Sequence, residues 1–278
     1  MKAFSFIRLL FGCIMYPYIE IFGRSIPTYG LCAGAGFIAA IIYIKIAERA
    51  KREMEADIEL AAIYSVIGMF IGAKLLYIIT ALPDLVQDIK AAELTFSEFS
   101  LKYLQSGFLF YGGLVGGVLT VWIYAKICKI SFDELCFVLV PVIPLFHMFG
   151  RIGCFLAGCC YGVESELFGI AFSNSLAAPN DVKLLPVQLM EAAAELLLFL
   201  ILLLMKKKGS RGKTLLYTWT IAYAALRFVI EFFRGDEYRG FIGALSTAQV
   251  FSIIMIILVL VFLFIGRFRT GRKNAGTT

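Results

Sequence analysis

The sequence predicts an all-α integral membrane protein, a bundle of seven transmembrane helices with its N-terminus outside and its C-terminus in the cytoplasm. Hydrophobic residues make up 60% of the 278 residues and charged residues 17%, against about 45–50% and about 25% in soluble chains. The apolar residues form blocks of about 20, the length that crosses a bilayer as a helix. Because these blocks lack alternation of period two, they favour helices over a barrel.

The first 27 residues begin like a signal peptide, with Lys2 before an apolar run. Arg8 interrupts that run, and Glu20 stands where a cleavage site with small residues would be expected. We therefore expect an uncleaved, interfacial N-terminal arm at 1–27.

Seven apolar blocks follow the arm, at 28–47, 58–82, 107–126, 136–150, 186–205, 214–234 and 245–266. The fourth block is the shortest and contains Pro141 and Pro144. Proline interrupts a helix, so we expect this block to be kinked, or to continue beyond Gly150.

Basic residues fix the predicted orientation, because lysine and arginine accumulate in cytoplasmic connections. They follow the first, third, fifth and seventh blocks, as Arg49, Lys51 and Arg52; Lys126 and Lys129; Lys206, Lys207, Lys208, Arg211 and Lys213; and Arg267, Arg269, Arg272 and Lys273. The connection at 83–106 is acidic on balance. The segments 83–106 and 151–185 are thus predicted to be external loops of a single transmembrane domain spanning 1–278.

The net charge of +6 does not indicate nucleic-acid binding. The basic residues stand in short clusters between apolar blocks rather than on one basic face.

Charged residues inside the blocks are the first candidates for function, since an Arg, Lys or Asp at mid-helix costs about 2.5–3.5 kcal/mol on insertion scales. They are Lys74, Arg151, Glu191, Arg227 and Glu231. Arg227 and Glu231 lie four residues apart on one helix face, which also fits a simple ion pair within the helix. Arg234 adds positive charge one turn further on, where an anionic head group would fit.

Glycines mark three more segments. The segment 150–162 holds four glycines beside Arg151, which favours a phosphate site because glycine allows close backbone approach and arginine pairs with phosphate oxygens. A tight helix–helix junction is the alternative. The glycines at 68 and 72, and those between 112 and 117, favour close helix packing.

Cys154, Cys159 and Cys160 lie in the same glycine-rich segment. Zinc sites favour cysteine pairs completed by a second pair or by histidines, and His147 is a lone candidate. We expect no metal and no cofactor; a disulfide between two of these cysteines stays open, given their predicted external position.

These motifs resemble the prolipoprotein diacylglyceryl transferase family. The segment 150–162 is similar to the family hallmark, a Gly-Arg-Ile-Gly-Asn-Phe-x-Asn-Gly-Glu-x-Tyr-Gly pattern. Further similar segments follow in the family order across nearly the whole chain, at Tyr29-Gly30, 72–77, 111–116, 186–191 and 227–234.

The resemblance implies an enzyme of the cell membrane with its active site near the outer leaflet. This enzyme would move the diacylglyceryl group of phosphatidylglycerol to the lipobox cysteine in the signal peptide of an exported prolipoprotein, and it would release glycerol phosphate. It implies that Arg151 binds the phosphate and that Arg227, oriented by Glu231, stabilises the departing charge. The further residues that it assigns are Tyr111 and Tyr29 in catalysis, and Gly153, Gly158, Gln188, Glu191, Lys74 and Arg234 in substrate binding.

This chain departs from the family pattern at several positions. Tyr111 stands where many members carry histidine, and a phenol with an ordinary pKa of about 10 is a poor base at neutral pH. Cys154, Ala157 and Cys159 replace the hallmark Asn, Asn and Glu, and Lys74 replaces an arginine. The alternatives are a relative that passes the lipid to another nucleophile and a lipid-binding or transport protein, although no paired repeats of a transporter are visible.

Overall fold

The computed structural model describes residues 12–14, 16–21, 23–91, 95–105, 107–236 and 240–275; residues 1–11 of the predicted N-terminal arm lie outside them. Among the described residues, seven helices are long and apolar enough to cross a membrane, at Thr28–Glu48, Arg52–Thr80, Phe110–Ile127, Phe132–Ala157, Val187–Lys207, Gly212–Phe233 and Thr247–Gly266. The prediction of a mostly helical protein with seven spans is confirmed, whereas its orientation stays a prediction.

The individual elements are bounded as follows. The helices are α1 Thr28–Glu48, α2 Glu55–Thr80, α3 Leu82–Ala91, α4 Phe96–Phe99, α5 Phe110–Ile127, α6 Phe132–Leu139, α7 Val142–Ala157, α8 Val187–Lys207, α9 Gly212–Ile230 and α10 Thr247–Ala275. Short helical turns of other types occupy Arg49–Met54, Ser100–Gln105 and Glu231–Phe233. The strands are β1 Gly12–Ile14, β2 Tyr18–Ile21, β3 Arg24–Pro27, β4 Ile170–Ser173, β5 Lys183–Leu184, β6 Phe241–Ile242 and β7 Leu245–Ser246.

Three small sheets in the described part of the chain qualify the all-α prediction. In one sheet β1 pairs in parallel with β4, which pairs in antiparallel fashion with β5. The others are the hairpins β2–β3, in the predicted arm, and β6–β7. These strands lie outside the spans. Their segments contain polar residues and glycines without the alternation of apolar and polar residues that predicts a strand.

The described chain divides into two compact units, one running to Ile46 and resuming at Val140, the other formed by Ala47–Leu139. In the second unit α2 packs closely on α5 through the predicted glycines. A Cβ added to Gly72 would lie 2.8 Å from the Cα of Gly116, and one added to Gly68 would lie 2.7 Å from the Gly116 oxygen. The prediction of close packing at these glycines is confirmed.

The segment 83–106, predicted as an external loop, is largely helical where the structure describes it. Thr95 and Glu98 form a capping box at the start of α4, which satisfies amide groups that the first turn leaves free. Asp88 on α3 accepts hydrogen bonds from Lys102 at 2.7 Å and Tyr103 at 2.6 Å. These bonds tie α3 to the turn at Ser100–Gln105.

The fourth span is interrupted at Val140–Pro141, as the two prolines predicted, so that α7 begins after Pro141. It then continues to Ala157, as the expectation of a helix beyond Gly150 stated, so the connection begins later than the predicted residue 151. Glycines at 150 and 153 are helical, as is common in membrane helices. Gly158 ends the helix instead, because it takes the left-handed conformation, φ +69°.

In the first unit α8 packs against both α7 and α9, and α9 also packs against α10. Large apolar side chains on the spans are exposed, among them Ile38, Leu197 and Phe262. Such surfaces suit contact with lipid tails. Six ionisable side chains from the spans that contain α7, α8 and α9 are instead largely buried, and they form the site.

Candidate functional site

Three helices of the first unit each place two ionisable side chains on one buried face, because residues four apart share a helix face. Each of these side chains is at most 12% exposed to solvent. We call this set the polar network; it consists of His147 and Arg151 from α7, Glu191 and Glu195 from α8, Arg227 from the last turn of α9 and Glu231 from the helical turn that follows it.

One end of the network is organised around Glu195, which is fully buried. Its Oε1 lies 2.7 Å from Nδ1 of His147, and its Oε2 accepts a hydrogen bond of 3.3 Å from Nε1 of Trp219. Nε of Arg151 donates to Nε2 of His147 at 3.2 Å. Since a guanidinium can only donate, Nε2 accepts, and the geometry therefore assigns the proton of a neutral imidazole to Nδ1, facing the Glu195 carboxylate.

The centre of the network is Glu191, which is shared by two arginines. Its Oε1 lies 3.1 Å from Nη2 of Arg151 and accepts a hydrogen bond of 3.3 Å from the Tyr223 hydroxyl. Its Oε2 lies 3.6 Å from Nη1 of Arg227. Glu191 therefore holds the two guanidinium groups beside one another.

Arg227 also pairs with Glu231, at 2.8 Å from Nη2 to Oε2, so the predicted ion pair within the helix is present. Its Nη1 is buried without a hydrogen-bond partner. A buried donor of this kind usually has a partner, and an oxyanion would supply one. The pairing with Glu231 therefore leaves one nitrogen of Arg227 without a hydrogen bond.

Gly158 and Gly153 act through the backbone and packing. At the end of α7 the amide of Gly158 donates to the Phe155 carbonyl at 3.0 Å, and that of Cys159 donates to the Cys154 carbonyl at 3.1 Å. This is the pattern of a Schellman cap, which requires the left-handed glycine. A Cβ on Gly153 would lie only 3.0 Å from Cδ2 of Tyr29, so this glycine lets Tyr29 pack against α7.

Gln188 positions the segment after α7. Its side-chain amide donates to the carbonyl of Cys159 at 2.7 Å, while its own oxygen is buried without a hydrogen-bond partner. The predicted location of Gln188 at the start of the fifth span is correct, and this contact ties α8 to the hallmark segment.

Arg234 is fixed by pairing between two connections. The Val163 amide donates to the Phe233 carbonyl at 2.9 Å, and Gly162 forms an antiparallel bridge with Arg234. Nε of Arg234 donates to Asp236 at 2.7 Å. Burial disfavours the charged guanidinium, but the bond to Asp236 outweighs it and raises the pKa of Arg234 above its ordinary value.

Tyr111 and Lys74 lie in the second unit, on α5 and α2. Tyr111 is buried, and its ring packs edge-on against Phe110 with centroids 6.0 Å apart. Nζ of Lys74 lies 4.9 Å from the ring centroid of Phe108 and 5.1 Å from that of Tyr77, a cation–π arrangement that stabilises the charge.

The structure thus joins four of the predicted residues, Arg151, Glu191, Arg227 and Glu231, in one network. Sequence reasoning missed the parts played by His147 and Glu195, as well as the hydrogen bonds from Trp219 and Tyr223. A signal was present, because His147 precedes Arg151 by four residues and Glu195 follows Glu191 by four. Pairs at this spacing share a helix face.

Comparison with known proteins gives one family. A family model described as prolipoprotein diacylglyceryl transferase matches residues 17–265. A phosphatidylglycerol–prolipoprotein diacylglyceryl transferase of Clostridium tetani is 35% identical over 251 residues, which cover 90% of this chain and 97% of that protein. A second so named protein, of Clostridium perfringens, is 37% identical over 92% of this chain and 97% of its own length. One of Rickettsia africae is 31% identical over 84% and 90%.

Proposed function

The chain belongs to the prolipoprotein diacylglyceryl transferase family, and we propose that it moves the diacylglyceryl group of phosphatidylglycerol to the lipobox cysteine thiol of exported prolipoproteins. In this reaction the sulfur of the thiolate attacks the glyceryl carbon that carries the phosphate ester. A carbon–sulfur bond forms, the carbon–oxygen bond breaks, and the oxygen leaves with its electron pair on glycerol phosphate. The thiol proton passes to an acceptor.

The observation that carries this proposal is the pair of guanidinium groups held by Glu191. Phosphate oxygens gain negative charge as the ester bond breaks, and fixed donors aimed at developing charge are the largest single source of catalysis in many enzymes. Nη1 of Arg227 is buried and has no hydrogen-bond partner, so it is available to a phosphate oxygen. Arg151 is fixed by His147 and Glu191 through two of its nitrogens, which presets the orientation of its guanidinium.

The remaining residues receive supporting parts. Glu231 orients Arg227 by the ion pair of 2.8 Å. Tyr29 packs against α7 at Gly153 and would contact the lipid from there. Arg234 would attract the anionic head group at the membrane surface. Tyr111 and Lys74 are assigned to the site by resemblance to the family alone.

The distribution of basic residues indicates on which side of the membrane the site lies. The basic residues after alternate spans favour an outside N-terminus and a cytoplasmic C-terminus. This orientation would put the end of α7, and with it Arg151 and the connection that follows Gly158, toward the outer leaflet of the cell membrane. An exported precursor and phosphatidylglycerol can meet there.

The test is complementation in bacterial cells depleted of their own transferase. We expect expression of this chain to restore lipid modification of a reporter prolipoprotein, measured by mass spectrometry of its N-terminal peptide. The Arg227→Ala variant should reach the membrane and leave the reporter unmodified. A wild-type protein present at a normal level in the membrane with no modified reporter would overturn the proposal.

A further inference from the structure

Three thiols meet at the end of α7. The Sγ atoms of Cys154, Cys159 and Cys160 all lie within 4.8 Å of one another, and each residue is partly buried. We call this group the thiol cluster. The sequence spacing alone did not predict it, because no linear pattern of pairs or histidines completes a metal site.

The fold itself brings these thiols together. Cys154 lies in the last turn of α7, and the left-handed Gly158 turns the chain back so that Cys159 follows over the helix end. Cys160 also has a positive φ, +57°, which is uncommon for a residue other than glycine. Gln188 holds the Cys159 carbonyl at 2.7 Å. The backbone of the cluster is therefore fixed from two helices.

The separation of the sulfurs fits one metal ion. A Zn–S bond of about 2.3 Å in a tetrahedral site places two sulfurs about 3.8 Å apart, so small rotations of the three side chains suffice. Three thiolates suit zinc better than magnesium or calcium, which prefer oxygen. Three protein ligands also leave the fourth position of a tetrahedral zinc open, as in catalytic rather than structural zinc sites.

The proposed reaction offers a ligand for that open position, the thiol of the substrate. The substrate is a thiol with an ordinary pKa of about 8.5, of which only a few per cent is thiolate at neutral pH. A metal ion deprotonates a thiol that coordinates it. The phenol of Tyr111 is a poor base for the same task, so a metal-bound thiolate removes the need for one.

We propose that Cys154, Cys159 and Cys160 bind a Zn2+ ion and that the lipobox cysteine of the substrate occupies its fourth position as a thiolate. This inference rests on the proposed function. On binding, the substrate thiol gives its proton to water and its sulfur to zinc. The sulfur then attacks the glyceryl carbon, and the thioether product, a weak ligand, leaves the metal.

The position of the cluster suits this reaction. Cys154 follows Arg151 by three residues on α7, and side chains at this spacing are neighbours, with Cβ atoms about 5–6 Å apart. The zinc-bound nucleophile and the phosphate of the lipid would therefore lie on adjacent turns of one helix. An enzyme cysteine that took up the lipid itself would form a stable thioether and could not pass the group on, so the three cysteines serve better as ligands than as acceptors.

The first experiment measures metal binding without reference to activity. The purified protein in lipid nanodiscs, kept reduced, is incubated with Zn2+ or Co2+, freed of excess metal and analysed for metal content and for the sulfur-to-cobalt absorption band. We expect about one ion per chain, as a single site requires, and its loss in Cys154→Ser and Cys160→Ser. The matched control is Cys128→Ser, an exposed cysteine of the second unit, which should bind as the wild type does.

Three outcomes of this experiment would overturn the inference: free thiols with no bound metal, binding that both serine variants retain, or a disulfide within the cluster under native conditions. Addition of a lipobox peptide to the Co2+ protein should change the absorption band, and a peptide with serine in place of the cysteine should not. A band unchanged by the cysteine peptide would exclude substrate coordination.

The second experiment separates this inference from the proposed function. Removal of zinc should lower transfer to the lipobox peptide by tenfold or more, and added Zn2+ should restore it. If the metal-free protein works as fast as the loaded one, the zinc inference is wrong and the proposed function stands. If the loaded protein binds one zinc but forms no lipidated peptide, the proposed function is wrong and the metal site stands.

Discussion

Replacement of Arg151 by alanine removes two contacts of the polar network at once. Glu191 loses the guanidinium at 3.1 Å, and His147 loses the donor at 3.2 Å. At 3.1 Å and an effective dielectric constant of about 20, two unit charges attract by about 5 kcal/mol. Desolvation of the two ions offsets much of this gain. Because Glu191 keeps Arg227 at 3.6 Å, the loss of stability should stay below the cost of about 3–5 kcal/mol for a buried charge without a partner.

The effect of Arg151→Ala on catalysis should be separable from its effect on stability. Loss of one preorganised donor for developing negative charge lowers kcat by about 10²–10³-fold. The assay is transfer of diacylglyceryl from phosphatidylglycerol in nanodiscs to a lipobox peptide, normalised to folded protein by size-exclusion chromatography. Arg151→Lys keeps the charge but cannot reach both His147 and Glu191 with one ammonium group. The loss of a charge-assisted hydrogen bond, about 1.5–3 kcal/mol, predicts a decrease of about 10–150-fold.

The control for the Arg151 variants is Arg211→Ala, an exposed arginine at the start of α9, which should keep normal transfer. Arg151→Ala with normal kcat and an unchanged KM for phosphatidylglycerol would refute the assignment of phosphate binding to this residue. A folded but inactive Arg151→Lys variant would not, because its geometry differs from that of arginine.

Three further predictions concern other parts of the molecule. Glu195→Gln should remove the carboxylate that holds Nδ1 of His147 and lower transfer by about 10–150-fold, the value of one hydrogen bond to a charged group. It should also shift the pH profile, and an unchanged rate and profile would contradict a positioning role. Gly72→Leu should separate α2 from α5, where no side chain fits, and lower the thermal midpoint of the purified protein, while unchanged stability would disprove the close packing. The hydrogen bond from Lys102 is the main cause that lowers the pKa of Asp88, so its contribution is present above the ordinary carboxyl pKa and lost as the pH falls through the lowered value. The protection of 82–91 against hydrogen exchange, relative to the intrinsic rate at each pH, should therefore fall in acid, and Asp88→Asn should abolish that pH dependence.

Much of the fold could be predicted because membrane spans follow from length and hydropathy. The start of α1 at Thr28 and the break near Pro141 appear at their predicted places, since backbone groups in a bilayer leave few alternatives to a helix. The end of α7 could not be predicted in the same way. The local sequence does not show whether the helix ends at Gly150 or at Gly158. In the structure Gly158 takes the left-handed conformation and Gly150 does not.

The site was predictable within single helices and not between them. The pairing of Arg227 with Glu231 follows from their spacing of four residues. The contact of Arg151 with Glu191 depends on how α7 packs against α8, which no local pattern specifies. The thiol cluster likewise required the Schellman turn at Gly158, because the spacing of the three cysteines alone does not bring their sulfurs together.

We propose that this chain lipidates a thiol with the diacylglyceryl group of phosphatidylglycerol while its arginines hold the phosphate. The most direct measurement is mass spectrometry of both products after the purified protein is incubated in nanodiscs with labelled phosphatidylglycerol and a lipobox peptide. We expect equal amounts of glycerol phosphate and of peptide carrying diacylglyceryl on its cysteine, with both lost in Arg151→Ala and Arg227→Ala. Label on the enzyme's own cysteines with an unmodified peptide, or full activity in both variants, would contradict it.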